Sequence, residues 1–169
     1  MKKLILVRHA KTEQLFDYSR SDYDRNLLPR GIEDSKLIAT QLKEIGCKPD
    51  IYISSSANRA KQTCELFLEY LGPMGTEVFY ERFIYEGYTT ETMLKYLSGI
   101  DNKKESAILF GHNPDIAGFT VNLTSEDLIH FPTGVAVVLK FDVDFWDQIE
   151  ARQGRVETYL YPSMFKGSN

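Results

Sequence analysis

Four side chains able to grip and attack an anion stand just past apolar runs in this chain. Leu4-Ile5-Leu6-Val7 stops on Arg8-His9, Ile51-Tyr52-Ile53 is followed after a serine-rich turn by Arg59, and Ala107-Ile108-Leu109-Phe110 stops on Gly111-His112. A guanidinium is a planar fork that can hold two phosphoryl oxygens at once. An imidazole, with an ordinary pKa of about 6.5, keeps a large neutral and therefore nucleophilic fraction near neutral pH. Two arginines and two histidines beside two helix starts are the make-up of a phosphate site, with His9 as the candidate nucleophile.

These residues meet only if the surrounding elements bring them together. After the first strand and a polar loop to about Asp24, Arg30 to Ile45 carries Ile38, Leu42 and Ile45 at helical spacing, with Pro29 ahead of it and Gly46 behind. Asp50 to Ile53 reads as a second strand, and Ser54-Ser55-Ser56 offers caps for a helix with Ala60, Cys64, Phe67 and Leu71 on one face. Gly72-Pro73 closes that helix. A third strand is expected at Glu77 to Tyr80, a loop from Glu81 to Tyr88, and a shorter helix from about Glu91 to Ser98. A fourth strand, Ser106 to Phe110, leads into Asn113 as N-cap and Pro114 as first helical residue.

The alternation of strand and helix then stops. Val135 to Phe141 and Arg155 to Tyr161 read as strands with no helix between them, and Phe145 and Trp146 in the turn region read as packing anchors. The expected fold class is α/β: a three-layer sandwich with a mostly parallel central sheet, helices on both faces and an antiparallel addition near the C-terminus. In such a sheet the three strand exits bearing Arg8-His9, Arg59 and His112 share one edge.

Composition narrows the setting. A length of 169 residues with 43% hydrophobic content suits a single domain over 1–169. Twenty Lys and Arg against 24 Asp and Glu give a net charge of −4 without a basic stripe, which argues against nucleic acid as a partner. The apolar runs are strand-length, well short of the roughly 20 residues of a membrane span, and no charged leader precedes them. A soluble, cytoplasmic protein with no membrane partner is the expectation. Cys47 and Cys64 lack CxxC spacing and read as reduced, packed thiols, with no metal indicated. The oligomeric state is left open.

The motifs carry a resemblance. Arg8-His9 with Lys11-Thr12 resembles the Arg-His-Gly signature of the histidine phosphatase (phosphoglycerate mutase-like) superfamily. Ser54-Ser55-Ser56-Ala57-Asn58-Arg59-Ala60-Lys61-Gln62-Thr63 is similar to that family's second motif, and Gly111-His112-Asn113-Pro114 to its third. Within the superfamily the likeness is greatest to the small SixA-type phosphohistidine phosphatases, through the Gly-His-Asn-Pro element and Pro132-Thr133-Gly134 before a late apolar strand. It runs from about residue 3 to residue 141, with the motifs in family order.

The resemblance implies that His9 attacks phosphorus and is transiently phosphorylated, while Arg8, Arg59 and His112 hold the phosphoryl oxygens; no metal or other cofactor is needed. Thr12 is offered as a further hydroxyl to the phosphate, against a plain loop role. Glu86, in Ile84-Tyr85-Glu86, matches the place of the acid that protonates the leaving group in members acting on esters, with Glu81 a weaker competitor and a solvated loop carboxylate the other reading. Two departures stand out: Ala10 where the signature has Gly, and Leu28 where the family has a threonine cap. His130 matches no motif and reads as a surface or packing residue. Tyr18, Tyr23, Tyr85 and Tyr88 lie in loops expected to flank the pocket. The resulting expectation is a metal-independent phosphatase that takes a phosphorylated substrate, preferably protein phosphohistidine. The alternatives are a small-molecule phosphomonoesterase or mutase using Glu86 as acid, or a non-catalytic phosphate-binding module.

Overall fold

The computed structural model describes residues 1–14, 21–128 and 130–166. Six strands, β1 (Lys2–Arg8), β2 (Ile51–Ser55), β3 (Glu77–Glu81), β4 (Ser106–Gly111), β5 (Ala136–Phe141) and β6 (Arg155–Leu160), form one sheet in the order β3-β2-β4-β1-β5-β6. The first four are mutually parallel, while β5 runs antiparallel to both β1 and β6. This is the expected parallel core with an antiparallel addition.

The central strands are near-continuous apolar runs because both of their faces are covered. Along β1, Leu4 and Leu6 enter one core cluster and Ile5 and Val7 the other; along β4, Ala107 and Leu109 alternate in the same way with Ile108 and Phe110. One face is covered by α1 (Pro29–Glu44) and α2 (Asn58–Tyr70), through Ile38, Leu42, Cys64 and Phe67. The other is covered by α4 (Thr90–Leu97) and α5 (Asp115–Leu123), through Met93, Leu97, Ile116 and Phe119, with Trp146 beside them. Among the described residues no helix is long and apolar enough to cross a membrane.

Local details differ from the sequence reading. The stretch from Glu81 to Tyr88 is not all loop: Arg82–Glu86 forms a short helix, α3, whose single turns are too few to show a period. The serines do not cap α2, whose N-cap is Ala57; instead Ser55 Oγ accepts the Ala57 N–H at 3.1 Å. Asn113 does not cap α5, which begins one residue later than expected with Pro114 as its N-cap; the Asn113 amide donates to the Phe131 carbonyl at 3.1 Å. Trp146 is a buried anchor but Phe145 is exposed, and Ile45 lies at the exposed C-cap of α1 rather than on its buried face. Leu28 is the N-cap of α1 and makes no side-chain cap, as its replacement of threonine implies.

Candidate active site

The exits of β1 and β4 lie side by side, with Arg8 opposite Gly111 and the His9 N–H donating to the Gly111 carbonyl at 3.0 Å. From β1 the chain passes through α1 toward β2, and from β4 through α5 toward β5, on opposite faces and in opposite directions across the sheet. The crevice between such strands is where open α/β sheets bind ligands.

The backbone around His9 is held on several sides. The Gly134 N–H is shared between the carbonyls of Arg8 and His9, at 3.1 and 3.0 Å, in a left-handed conformation with φ of +78° that suits glycine. The Ala10 N–H donates to Thr63 Oγ1 at 3.1 Å, and that hydroxyl donates to the Arg59 carbonyl at 2.8 Å. On the other side α1 starts against Lys11, so closely that a Cβ at Gly31 would lie 2.2 Å from the Lys11 carbonyl oxygen. Strand exit and helix start are thus packed backbone to backbone.

The tautomer of His9 follows from its neighbour. Nδ1 is 2.8 Å from the Ala10 carbonyl, which can only accept, so Nδ1 carries the proton and the lone pair of Nε2 is free. Burial lowers the His9 pKa to about 3; the Ala10 hydrogen bond opposes this, and the charges of His112, Arg59 and Arg8 add to it. Its ring centroid is 5.2 Å from that of His112. His112 is also lowered, to about 4, by burial first and then by the Arg59 charge, with Asp22 opposing.

Ser55 orients His112. Its Oγ accepts from Ala57 N–H and is 2.7 Å from His112 Nε2, the acceptor available for its own proton. With the Ser55 hydroxyl as donor, Nε2 accepts and Nδ1 is the protonated nitrogen. That Nδ1 is buried and has no partner, and neither does the enclosed Nε of Arg8, whose Nη1 donates to the Phe131 carbonyl at 3.1 Å. Buried donors left without acceptors are rare in folded proteins. Two of them stand beside the imidazole of His9, an arrangement able to donate to an oxyanion.

Arg59 completes the group. Its Nη1 donates to the Asp22 carbonyl at 2.8 Å and its Nη2 to Asp22 Oδ2 at 3.0 Å, which fixes the plane of the guanidinium. Burial opposes ionisation of Asp22, but hydrogen bonds from Arg25, Arg59 and Tyr85 and the Arg59 charge bring its pKa down to about 2. The Tyr85 ring stands 5.8 Å from His112 and 5.9 Å from the Arg59 Cζ, and its hydroxyl donates to Asp22 at 3.1 Å. Tyr23 packs edge-on to Tyr85 at 5.0 Å.

The structure thus brings Arg8, His9, Arg59 and His112 together, with Tyr23 and Tyr85 as a wall. Glu86 follows Tyr85 on α3 but is turned by about 100° around the helix, and its largely exposed carboxylate pairs with Arg82 at 3.9 Å. Thr12 Oγ1 donates to the Glu13 carbonyl at 3.2 Å and accepts from Arg25 at 2.5 Å. Tyr88 is packed against Phe83 and Phe119, away from this wall; His130 is exposed, with its ring against Tyr161. Tyr18 lies outside the described residues. Asp22, Ser55 and Thr63 are site supports to which the sequence reading gave no role; Ser55 and Thr63 fall within the second motif, and nothing in the sequence signalled Asp22. Among the described residues no three His, Cys, Asp or Glu side chains gather as metal ligands would.

Residues 4–95 match the model of the histidine phosphatase superfamily, branch 1. The chain belongs to this superfamily. A SixA protein of Agrobacterium tumefaciens, assigned as a phosphohistidine phosphatase, superposes with a TM-score of 0.80 at 26% identity, covering 95% of this chain and 98% of that one. An uncharacterised chloroplastic protein of Arabidopsis thaliana is 28% identical over 160 residues, 90% of this chain and 72% of its own length. A 2,3-bisphosphoglycerate-dependent phosphoglycerate mutase of Nautilia profundicola is 42% identical over 72 residues, a match spanning 42% of this chain and 31% of the mutase. Enzymes of this superfamily are phosphatases or mutases, so membership implies a phosphorylated substrate.

Proposed function

We propose that this protein is a phosphohistidine phosphatase that works through a covalent intermediate on His9. The observation that carries the reading is the pair of buried, unpartnered donors, Arg8 Nε and His112 Nδ1, flanking an imidazole whose free nitrogen is Nε2. Nε2 attacks phosphorus in line; a P–N bond forms to His9 while the bond from phosphorus to the leaving group breaks. Arg8, Arg59 and the His112 N–H take the charge on the three equatorial oxygens, the electrostatic work that phosphoryl transfer mainly requires. Water then attacks the phosphorylated His9, releasing inorganic phosphate and restoring the neutral ring. No metal is needed for either step.

The leaving group distinguishes the substrates. An alkoxide needs a general acid, whereas the imidazole of phosphohistidine leaves neutral once its other nitrogen is protonated. Tyr85, not Glu86, is the α3 side chain in contact with the site residues, which supports the P–N substrate. The likeness to a SixA protein over nearly the whole of both chains supports the same reading. Purified protein is assayed on a phosphohistidine peptide and on a panel of phosphate esters, with and without EDTA. Preferred, EDTA-insensitive hydrolysis of the peptide, lost in His9→Ala, is expected. Preference for an ester that collapses in Glu86→Gln would replace this reading with a phosphomonoesterase.

A further inference from the structure

We propose that a basic cavity beside His9 is a second anion subsite, which takes an acidic group carried by the same substrate as the transferred phosphoryl. The cavity has a volume of about 120 Å³ and is lined by Lys11, Arg30, Asp34, Thr133, Ser163 and Lys166, together with prolines and Tyr161. It adjoins the catalytic loop directly. Lys11 stands two residues beyond His9, and Thr133 precedes Gly134, whose N–H is bonded to the carbonyls of Arg8 and His9. Gly134 in turn packs so tightly on Pro162 that a Cβ there would lie 3.0 Å from the proline ring, which ties the cavity wall to the loop that positions the nucleophile.

The lining is rich in donors and poor in acceptors. Its one carboxylate, Asp34, is buried and already engaged by Lys166 at 2.7 Å. Lys11 and Arg30 are exposed and, among the described residues, have no ion-pair partner; the hydroxyls of Thr133 and Ser163 are likewise unengaged. Three cations against one carboxylate leave this patch positive in a chain whose net charge is −4. A compact oxyanion, carboxylate or phosphoryl, is the chemistry such a lining recognises. The cavity opens to solvent and has room for a compact oxyanion.

Two sources could present that oxyanion: an Asp or Glu next to the phosphohistidine of a protein, or a second acidic group on a small phosphate ester. The inference rests on the phosphatase reading of the neighbouring site. It is tested by comparing kcat/KM for phosphohistidine peptides with Glu, Gln or Lys beside the phosphohistidine, and for an aryl phosphate with and without a ring carboxylate. Wild type is expected to favour the Glu peptide over the Gln peptide by about fivefold, the scale of one exposed charge pair, with the preference reversed toward the Lys peptide in Lys11→Glu/Arg30→Glu. If the carboxylated aryl phosphate alone shows the preference, the oxyanion comes from a small molecule. Equal rates across both sets, or a preference untouched by charge reversal, would overturn the subsite. Failure of wild type to turn over any substrate would defeat the phosphatase reading instead. The subsite would then be decided by NMR titration with sulfate: shifts at the amides of Lys11, Arg30, Thr133 and Ser163 support it, and shifts confined to Arg8, His9 and Arg59 refute it.

Discussion

Strand β1 carries a cationic side chain at each end, buried at Lys2 and half-buried at Arg8, and the two are treated in opposite ways. At its start, the Lys2 ammonium donates to the carbonyls of Asn102 and Lys104 at 2.7 and 2.9 Å and lies 5.5 Å above the Trp146 ring. At its finish, Arg8 donates through Nη1 to one carbonyl and leaves its buried Nε with no acceptor. Lys2 meets two carbonyls and an aromatic face of the protein; Arg8 meets one carbonyl and leaves its buried Nε without a partner. A buried charge with all its partners holds a fold together, whereas one left short of an acceptor is kept in readiness for something the protein does not itself supply.

Substitutions can break this contrast. The largest effect is expected at the nucleophile between the two arginines: His9→Ala should lower phosphatase kcat by about 10⁴-fold or more, by analogy with loss of other covalent catalysts, without loss of the folded state in circular dichroism. Arg8→Met should cost about 10²- to 10³-fold in kcat/KM, the scale of a lost oxyanion donor, with thermal stability unchanged or raised, because a buried unpaired donor is removed. Lys2→Met should give the reverse pattern. Activity persists, but stability to urea falls by about 1–3 kcal/mol as the Asn102 carbonyl loses its side-chain donor, while the Lys104 carbonyl keeps Trp146 Nε1. Equal stability losses in the Arg8 and Lys2 variants would erase the distinction.

Much of this was legible in the sequence. The apolar runs of β1 and β4 announced doubly covered strands, and the parallel alternation placed Arg8, His9, Arg59 and His112 on one edge before any contact was known. What the sequence did not show are interactions fixed only by tertiary packing. Asp22 reaches Arg59 across 37 positions, and Ser55 reaches His112 across 57, with no periodic signal to report either. Helix α3 is too short to be periodic, so the outward turn of Glu86 and the inward turn of Tyr85 could not be separated. The readiness of Arg8 and His112 lies in atoms that lack partners, and absence of a partner leaves no trace in residue type.

The histidines sharpen the contrast by pH. Their folded values, about 3 for His9 and about 4 for His112, lie below the ordinary value of about 6.5, so both rings are neutral in the fold at neutral pH. The unfolded chain takes up these protons first. Stability is therefore full above about pH 6.5 and is lost as pH falls toward the folded values, by up to about 1.4 kcal/mol per pH unit for each ring. Nitrogen-15 NMR at pH 5.5 should find His9 neutral with the proton on Nδ1. Asp22, held down to about 2, keeps its pairing with Arg59 throughout this range. A smaller effect is expected from Asp22→Asn: with a half-exposed negative charge removed from beside Arg59, inorganic phosphate should inhibit about threefold more strongly, as read from product-inhibition constants.

The central claim is that His9 itself accepts the phosphoryl group. Protein is mixed with radiolabelled phosphohistidine peptide, quenched in alkali within the first turnover, and mapped by mass spectrometry. The account predicts one alkali-stable, acid-labile phosphate per chain, located on His9 and absent from His9→Ala. Turnover at a normal rate with no phosphate on His9 in any quenched sample would contradict it.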